Sequence, residues 1–139
     1  QGRSFKRLNE LFAATGQVGF LSSERVDGKL ILPEPCENSR PSWFGFLITC
    51  REGVDRNQIV QMIEAKGVQT RMLFAGNLTK HPCFDQMRAT GKGYRIAGTL
   101  ENTDRIMRDT FWIGVYPGMT DEMLEAMANA IKDAVNGVK

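Results

Sequence analysis

Residues 43–74, WFGFLITCREGVDRNQIVQMIEAKGVQTRMLF, decide the fold. Trp43 to Cys50 is aromatic and β-rich, the strongest strand signal in the chain. Asp55 is placed to cap a helix whose apolar face is Ile59, Val60, Met62 and Ile63, and Gly67 suits its end. Val68 to Phe74 alternates loosely around Arg71 and reads as a second strand. A strand, helix, strand unit over about residues 42–74 follows, and with it a mixed architecture of sheet and helices.

Upstream, residues 22–42 carry Gly28, Pro33, Pro35 and Pro41 around the short apolar run Leu30 to Leu32, so a loop with one short strand is expected. Phe5, Leu8, Leu11 and Phe12 recur at helical spacing between Arg3 and Thr15, with Gly16 as the stop. No N-cap precedes that helix, and the chain starts at Gln1 without Met, which reads as the remnant of a longer, severed helix over residues 1–18, with simple fraying at a terminus as the alternative.

Downstream, residues 75–99 hold Gly76, Pro82, Gly91, Gly93 and Gly98 and read as a long connection with one short helix near Cys83 to Arg88. Asn102 is expected to cap a helix through Arg108, and Thr110 to Val115 to form a further strand. After the turn Tyr116-Pro117-Gly118, Thr120 caps a last helix striped by Leu124, Met127, Ile131 and Val135. The expected fold class is α+β: one small domain over 1–139, a mostly antiparallel sheet with helices on one side. Trp43 and Trp112 are expected in the strand core, and Met62, Met119, Met123 and Met127 in core or turn packing.

Composition narrows the function classes. With 42% hydrophobic and 24% charged residues, the chain can bury a core without disulfide or metal support. Its 18 Lys and Arg nearly balance 16 Asp and Glu without a basic stripe, which argues against a nucleic-acid binder. Cys36, Cys50 and Cys83 are odd in number and widely spaced, as expected of reduced thiols in a cytoplasmic protein, and no metal site is expected. No apolar run approaches the roughly 20 residues of a membrane span.

No catalytic centre can be assembled from these residues. His81 is the only histidine and stands before Pro82 in a loop, where surface packing competes with hydrogen bonding to an anion or sugar hydroxyl. Gly91-Lys92-Gly93 lacks the third glycine of a dinucleotide fingerprint and the hydroxyl residue of a phosphate loop. Arg71 lies on a strand leading into Phe74-Ala75-Gly76-Asn77-Leu78, where a guanidinium can hold a phosphate or carboxylate; pairing with Glu64 or extension into solvent competes. Asp104, Asp109, Asp121 and Glu122 read as caps and solvated faces.

Three segments carry a resemblance: SWFGFLITCREG, MIEAKGVQTRMLFAGNLTKHPCF and YRIAGTLENTDRIMRDTFWIGVYPGMTDEMLEAM. They resemble the C-terminal part of the CDP-4-keto-6-deoxyglucose 3-dehydrases, a family similar to the nucleotide-sugar aminotransferases of fold type I, from about residue 30 onward. The resemblance implies the small α+β domain of such an enzyme, with the large cofactor-binding domain outside this chain. It implies a parent in which pyridoxamine phosphate condenses with the sugar ketone at C-4 and the C-3 hydroxyl is then eliminated, toward 3,6-dideoxy sugars of lipopolysaccharide and O-antigen.

By the same resemblance the parent uses pyridoxal or pyridoxamine phosphate and a two-iron, two-sulfur cluster. It receives electrons from an NADH-dependent iron-sulfur flavoprotein reductase, and it is a cytoplasmic homodimer. The catalytic histidine and the cluster cysteines lie in the large domain, so His81, Cys36, Cys50 and Cys83 are not those residues, and this chain alone is expected to be inactive and without cofactor. What it implies here is a wall of the CDP-sugar cleft: Arg71 for anion contact, Phe74 for stacking, Asn77 for hydrogen bonding, with His81 and Arg95 beside them. The alternatives are the small domain of a pyridoxal phosphate-dependent nucleotide-sugar aminotransferase, and a free-standing α+β ligand-binding module.

Overall fold

A computed structural model of the chain describes residues 2–13, 28–40 and 42–138. The expected end of the first helix at Thr15 and Gly16, the side chain of Phe12, residues 22–27 and Pro41 lie outside the described residues. In chain order the elements are α1 (Gly2–Ala13), β1 (Leu30–Ile31), β2 (Gly45–Cys50), α2 (Arg56–Ala65) and β3 (Thr70–Met72). Two 3-10 turns follow (Leu78–Lys80, Pro82–Phe84), then α3 (Asp85–Thr90), α4 (Glu101–Asp109), β4 (Thr110–Gly114) and α5 (Asp121–Gly137).

The four strands form one sheet in the order β1-β2-β4-β3, each neighbour antiparallel. β4 therefore separates β2 from β3, which run parallel and are joined by α2, a split βαβ arrangement. Asp55 caps α2 as the sequence indicates, its carboxylate accepting from Asn57 N at 2.8 Å and Gln58 N at 3.4 Å. Thr120 caps α5 by accepting from Met123 N at 3.3 Å.

Register decides which side chains enter the core. Phe46 pairs with Ile113 and Ile48 with Phe111, and all four are fully buried on one face of the sheet. That face meets Phe5 and Leu8 of α1, Ile59 and Ile63 of α2, and Leu124, Ile131 and Val135 of α5. Trp43, just before β2, stacks on Phe5 at 5.3 Å between ring centroids. Polar contacts clamp the helix ends: Lys29 Nζ donates to Val135 O at 3.1 Å and Val138 O at 2.6 Å, satisfying carbonyls at the end of α5.

Several sequence expectations are corrected. α4 opens at Glu101 with Leu100 in the cap position and no side-chain cap, so Asn102 lies inside the helix rather than capping it. β3 is shorter than Val68 to Phe74, because Val68 N turns back to Ile63 O at one end and Phe74 N bonds Met72 O at the other. Asp109 is not a solvated-face residue: it is 8% exposed and takes two hydrogen bonds from Arg108, at 2.9 and 2.8 Å. Met123 is exposed, whereas Met119 is buried. Trp112 lies on the opposite side of the sheet from the core.

Candidate functional site

The second face of the sheet is the product of strict alternation. With Phe111 and Ile113 committed to the core, Trp112 must point the other way, beside Leu47 of β2 and Arg71 of β3, its direct partners across the ladder. Trp112 Nε1 donates to Met72 O at 3.2 Å and fixes the indole. Its ring meets Phe44 edge-on at 5.1 Å, and Phe44 in turn lies 6.3 Å from Phe74. Phe44 is 70% exposed and Phe74 77% exposed, an unusual cost for two large apolar side chains.

The convergence of those rings depends on local backbone. Phe44 stands before the end of β2 that pairs with Gly114, whereas Phe74 follows the end of β3 that pairs with Phe111, so regular extension would carry them to opposite ends of the sheet. Phe74 instead adopts a positive φ of 47°, a left-handed conformation that costs a non-glycine residue about 1 kcal/mol or more. Gly76 N closes the turn on Leu73 O at 3.2 Å. Gly76 itself has φ 59°, and a Cβ there would fall 2.6 Å from Met107 Cγ, so α4 packs directly on the turn.

Of the residues singled out from sequence, Arg71 and Phe74 share this open face. Arg71 is exposed, and no carboxylate among the described residues lies within ion-pair distance of it; Glu64 accepts instead from Thr70 Oγ1 at 2.5 Å. Asn77 is 2% exposed and spends its side chain within the fold. It accepts from Thr79 N at 3.0 Å and Thr79 Oγ1 at 2.7 Å, and donates to Asp104 Oδ1 at 2.6 Å.

His81 is half-buried, its Nε2 paired with Ala75 O at 2.5 Å, which ties it to the same turn. Arg88 donates to Thr79 O, and to His81 O at 2.9 Å, and pairs with Asp85. Arg95 stands apart on the exposed run from Gly91 to Thr99. Just before it, Gly93 and Tyr94 close an apolar pocket of about 230 Å³ with Leu78, Phe84 and Met87.

Charge follows the same segment. Between residues 71 and 108 there are seven Lys and Arg against three Asp and Glu, a net of +4, although the whole chain is only +2. Asp104, inside this cationic stretch, is held below its ordinary carboxylate value, first by the hydrogen bond from Lys80 and then by that from Asn77. The arrangement suits a ligand with an anionic part and a flat or apolar part. Sequence reading missed Phe44 and Trp112; the period-two pattern of Thr110 to Gly114 held the signal for Trp112.

The cofactors implied by the resemblance do not fit these residues. Cys50 is buried in the hydrophobic core. Cys36 and Cys83 are exposed, and no group of three metal-ligating side chains occurs among the described residues. Gly91-Lys92-Gly93 runs into a loop rather than a helix start, so it does not form a phosphate cradle. No helix among the described residues is long and apolar enough to cross a membrane.

The chain is 47% identical over 106 residues to the lipopolysaccharide biosynthesis protein RfbH of Salmonella typhimurium, covering 75% of this chain and 23% of that protein. It is 44% identical over 108 residues to the dTDP-4-dehydro-2,6-dideoxy-D-glucose 3-dehydratase of Saccharopolyspora spinosa, covering 76% of this chain and 22% of that enzyme. It thus spans less than a quarter of the length of these curated relatives. The fold matches the E. coli GDP-4-keto-6-deoxy-D-mannose-3-dehydratase with a TM-score of 0.65 at 17% identity, over 94% of this chain and 30% of that one. The aminotransferase TlmJ of Streptoalloteichus hindustanus matches with a TM-score of 0.67 at 15% identity, over 96% of this chain and 31% of that one. Residues 21–132 match the family profile, and the chain belongs to the DegT/DnrJ/EryC1/StrS aminotransferase family.

Proposed function

We propose that this chain is the small C-terminal domain of a vitamin B6-dependent sugar 3-dehydrase acting on CDP-4-keto-6-deoxyglucose, and that its open sheet face forms one wall of the nucleotide-sugar cleft. The observation that carries the reading is Arg71, exposed and without an ion-pair partner among the described residues, beside the aromatic set Phe44, Trp112 and Phe74. Identity of 47% and 44% to a lipopolysaccharide biosynthesis protein and a sugar 3-dehydratase supports dehydration over other chemistries of the family.

In this reading Arg71 holds an anionic group of the substrate, Phe74 packs against a ring, and His81 and Arg95 border the same ligand from the loop. Asn77 contributes by fixing the turn that presents Phe74, since its own amide is engaged. Pyridoxamine phosphate, which supplies an amine able to activate the sugar ketone, and the two-iron, two-sulfur cluster belong to the rest of the parent. The wall formed here excludes water and orients the sugar. A homodimeric, cytoplasmic parent served by an NADH-dependent iron-sulfur reductase, working toward O-antigen dideoxy sugars, completes the proposal.

The family's aminotransferase members supply the competing reading, in which the parent installs an amino group on a keto sugar. Product analysis separates the two. The parent enzyme, supplied with CDP-4-keto-6-deoxyglucose, pyridoxamine phosphate and the reductase with NADH, is expected to yield a 3-deoxy sugar. An aminated sugar formed with glutamate as donor, and no loss of the C-3 hydroxyl, would overturn the dehydrase reading.

A further inference from the structure

Gly45 opens β2 and carries no positive φ, so its backbone demands nothing that another residue could not supply. What it lacks is room. A Cβ at this position would fall 2.3 Å from Trp112 Cε3 and 3.0 Å from both Cδ2 and Cζ3, three atoms of one rigid ring. The indole therefore packs directly against the Gly45 backbone, and it cannot slide aside freely because Nε1 is tied to Met72 O at 3.2 Å. Glycine in a strand otherwise weakens it, and here a neighbouring aromatic covers the gap.

The consequence reaches the open face through contacts already described. Trp112 presents its edge to Phe44 at 5.1 Å with 60° between the planes, and Phe44 backs Phe74 at 6.3 Å. Arg71 is the ladder partner of Trp112 in the adjacent strand. A ring raised from the sheet by one methyl group would push Phe44 away.

We propose that Gly45 is a positioning residue for the nucleotide-sugar wall, acting through Trp112 to set Phe44 and Phe74 at the height where a substrate ring is gripped. The inference rests on the assignment of Arg71 and Phe74 to that wall. It predicts a defect in binding rather than turnover, because in that reading these side chains grip the nucleotide sugar and take no part in the chemistry.

The test uses the complete parent enzyme and its CDP-sugar substrate. Gly45→Ala is expected to raise KM roughly five- to tenfold with kcat within about twofold, as loss of uniform binding. Adding Trp112→Phe, whose smaller ring makes room for the new methyl, is expected to return KM to that of Trp112→Phe alone, a rescue that general weakening of the strand would not produce. Equal KM values for Gly45→Ala and the wild type, or no rescue in the double variant, would overturn the proposal.

Phe44→Leu covers the case in which Gly45→Ala fails to fold, since Phe44 is exposed and its loss leaves the core intact. It is expected to raise KM in the same way, and an unchanged KM contradicts the relay. Arg71→Ala and Phe74→Ala separate the two levels. If both leave KM unchanged, the wall assignment falls and the positioning role with it; if they raise KM while Gly45→Ala does not, only the positioning role falls.

Discussion

Asn77 Nδ2 donates to Asp104 Oδ1 at 2.6 Å, joining the turn after β3 to the first part of α4 across 27 residues of chain. Lys80 reaches the other oxygen of the same carboxylate at 2.9 Å. Together they fix the segment that carries Phe74, and they make its order depend on a charge.

The carboxyl of Asp104 is held below its ordinary value of 3.8, with the Lys80 hydrogen bond the largest cause. A group with a lowered folded pKa stabilises the fold fully above its unfolded value and loses that contribution as pH falls through the folded one. The turn should therefore hold from neutral pH to about pH 4 and loosen below it. Amide exchange at Thr79 and Asn77 between pH 6 and 2.5 checks this, and Asp104→Asn should remove the dependence. Asn77→Ala should cost about 1–3 kcal/mol near neutral pH, since it removes a buried amide that accepts from Thr79 N and Thr79 Oγ1 and donates to Asp104.

The three thiols should differ sharply. Cys36 and Cys83 are exposed, whereas Cys50 is buried and its thiol is pushed up to about 12. At pH 8 in the native state, a thiol reagent should modify two cysteines quickly, with Cys50 reacting only after denaturant is added. Rapid native modification of all three would contradict the packing of β2.

Phe74 should trade stability for function. Its left-handed backbone is strained while its exposed ring buries little surface, so Phe74→Gly should leave the melting temperature unchanged or raise it slightly. The same variant should weaken CDP-sugar binding by the parent. Calorimetry and equilibrium binding on one preparation measure both.

Asp55→Ala should cost about 1 kcal/mol, because two backbone N–H groups at the start of α2 lose their acceptor. Denaturant unfolding measures it. The cap is also an example of what was legible in the sequence: Asp55, Thr120 and the stripe Leu124, Ile131 and Val135 act locally, through spacing alone, and the folded chain uses them as expected.

The open face was legible only in part. Arg71 and Phe74 could be marked from their residue types, but the partnership of Trp112 with Gly45 and Phe44 depends on the pairing register of β2 and β4, contacts more than 60 residues apart in sequence. Trp112 reads as core until Phe111 and Ile113 are seen to occupy that side. The positive φ of Phe74 has no signal at all in a residue type that normally avoids it. Asn102 looked like a cap because asparagine favours that position, yet the chain enters α4 one turn position earlier, at Glu101.

If Arg71 meets the anionic part of a nucleotide sugar, as proposed, its removal weakens binding of the substrate. The most direct measurement is the equilibrium affinity of the parent enzyme for its CDP-sugar, compared between wild type and Arg71→Ala, with folding verified by circular dichroism. Loss of a charge-assisted contact should weaken binding roughly 10- to 100-fold, with the difference shrinking as salt is raised. Equal affinity of a correctly folded Arg71→Ala enzyme would remove Arg71 from the substrate site.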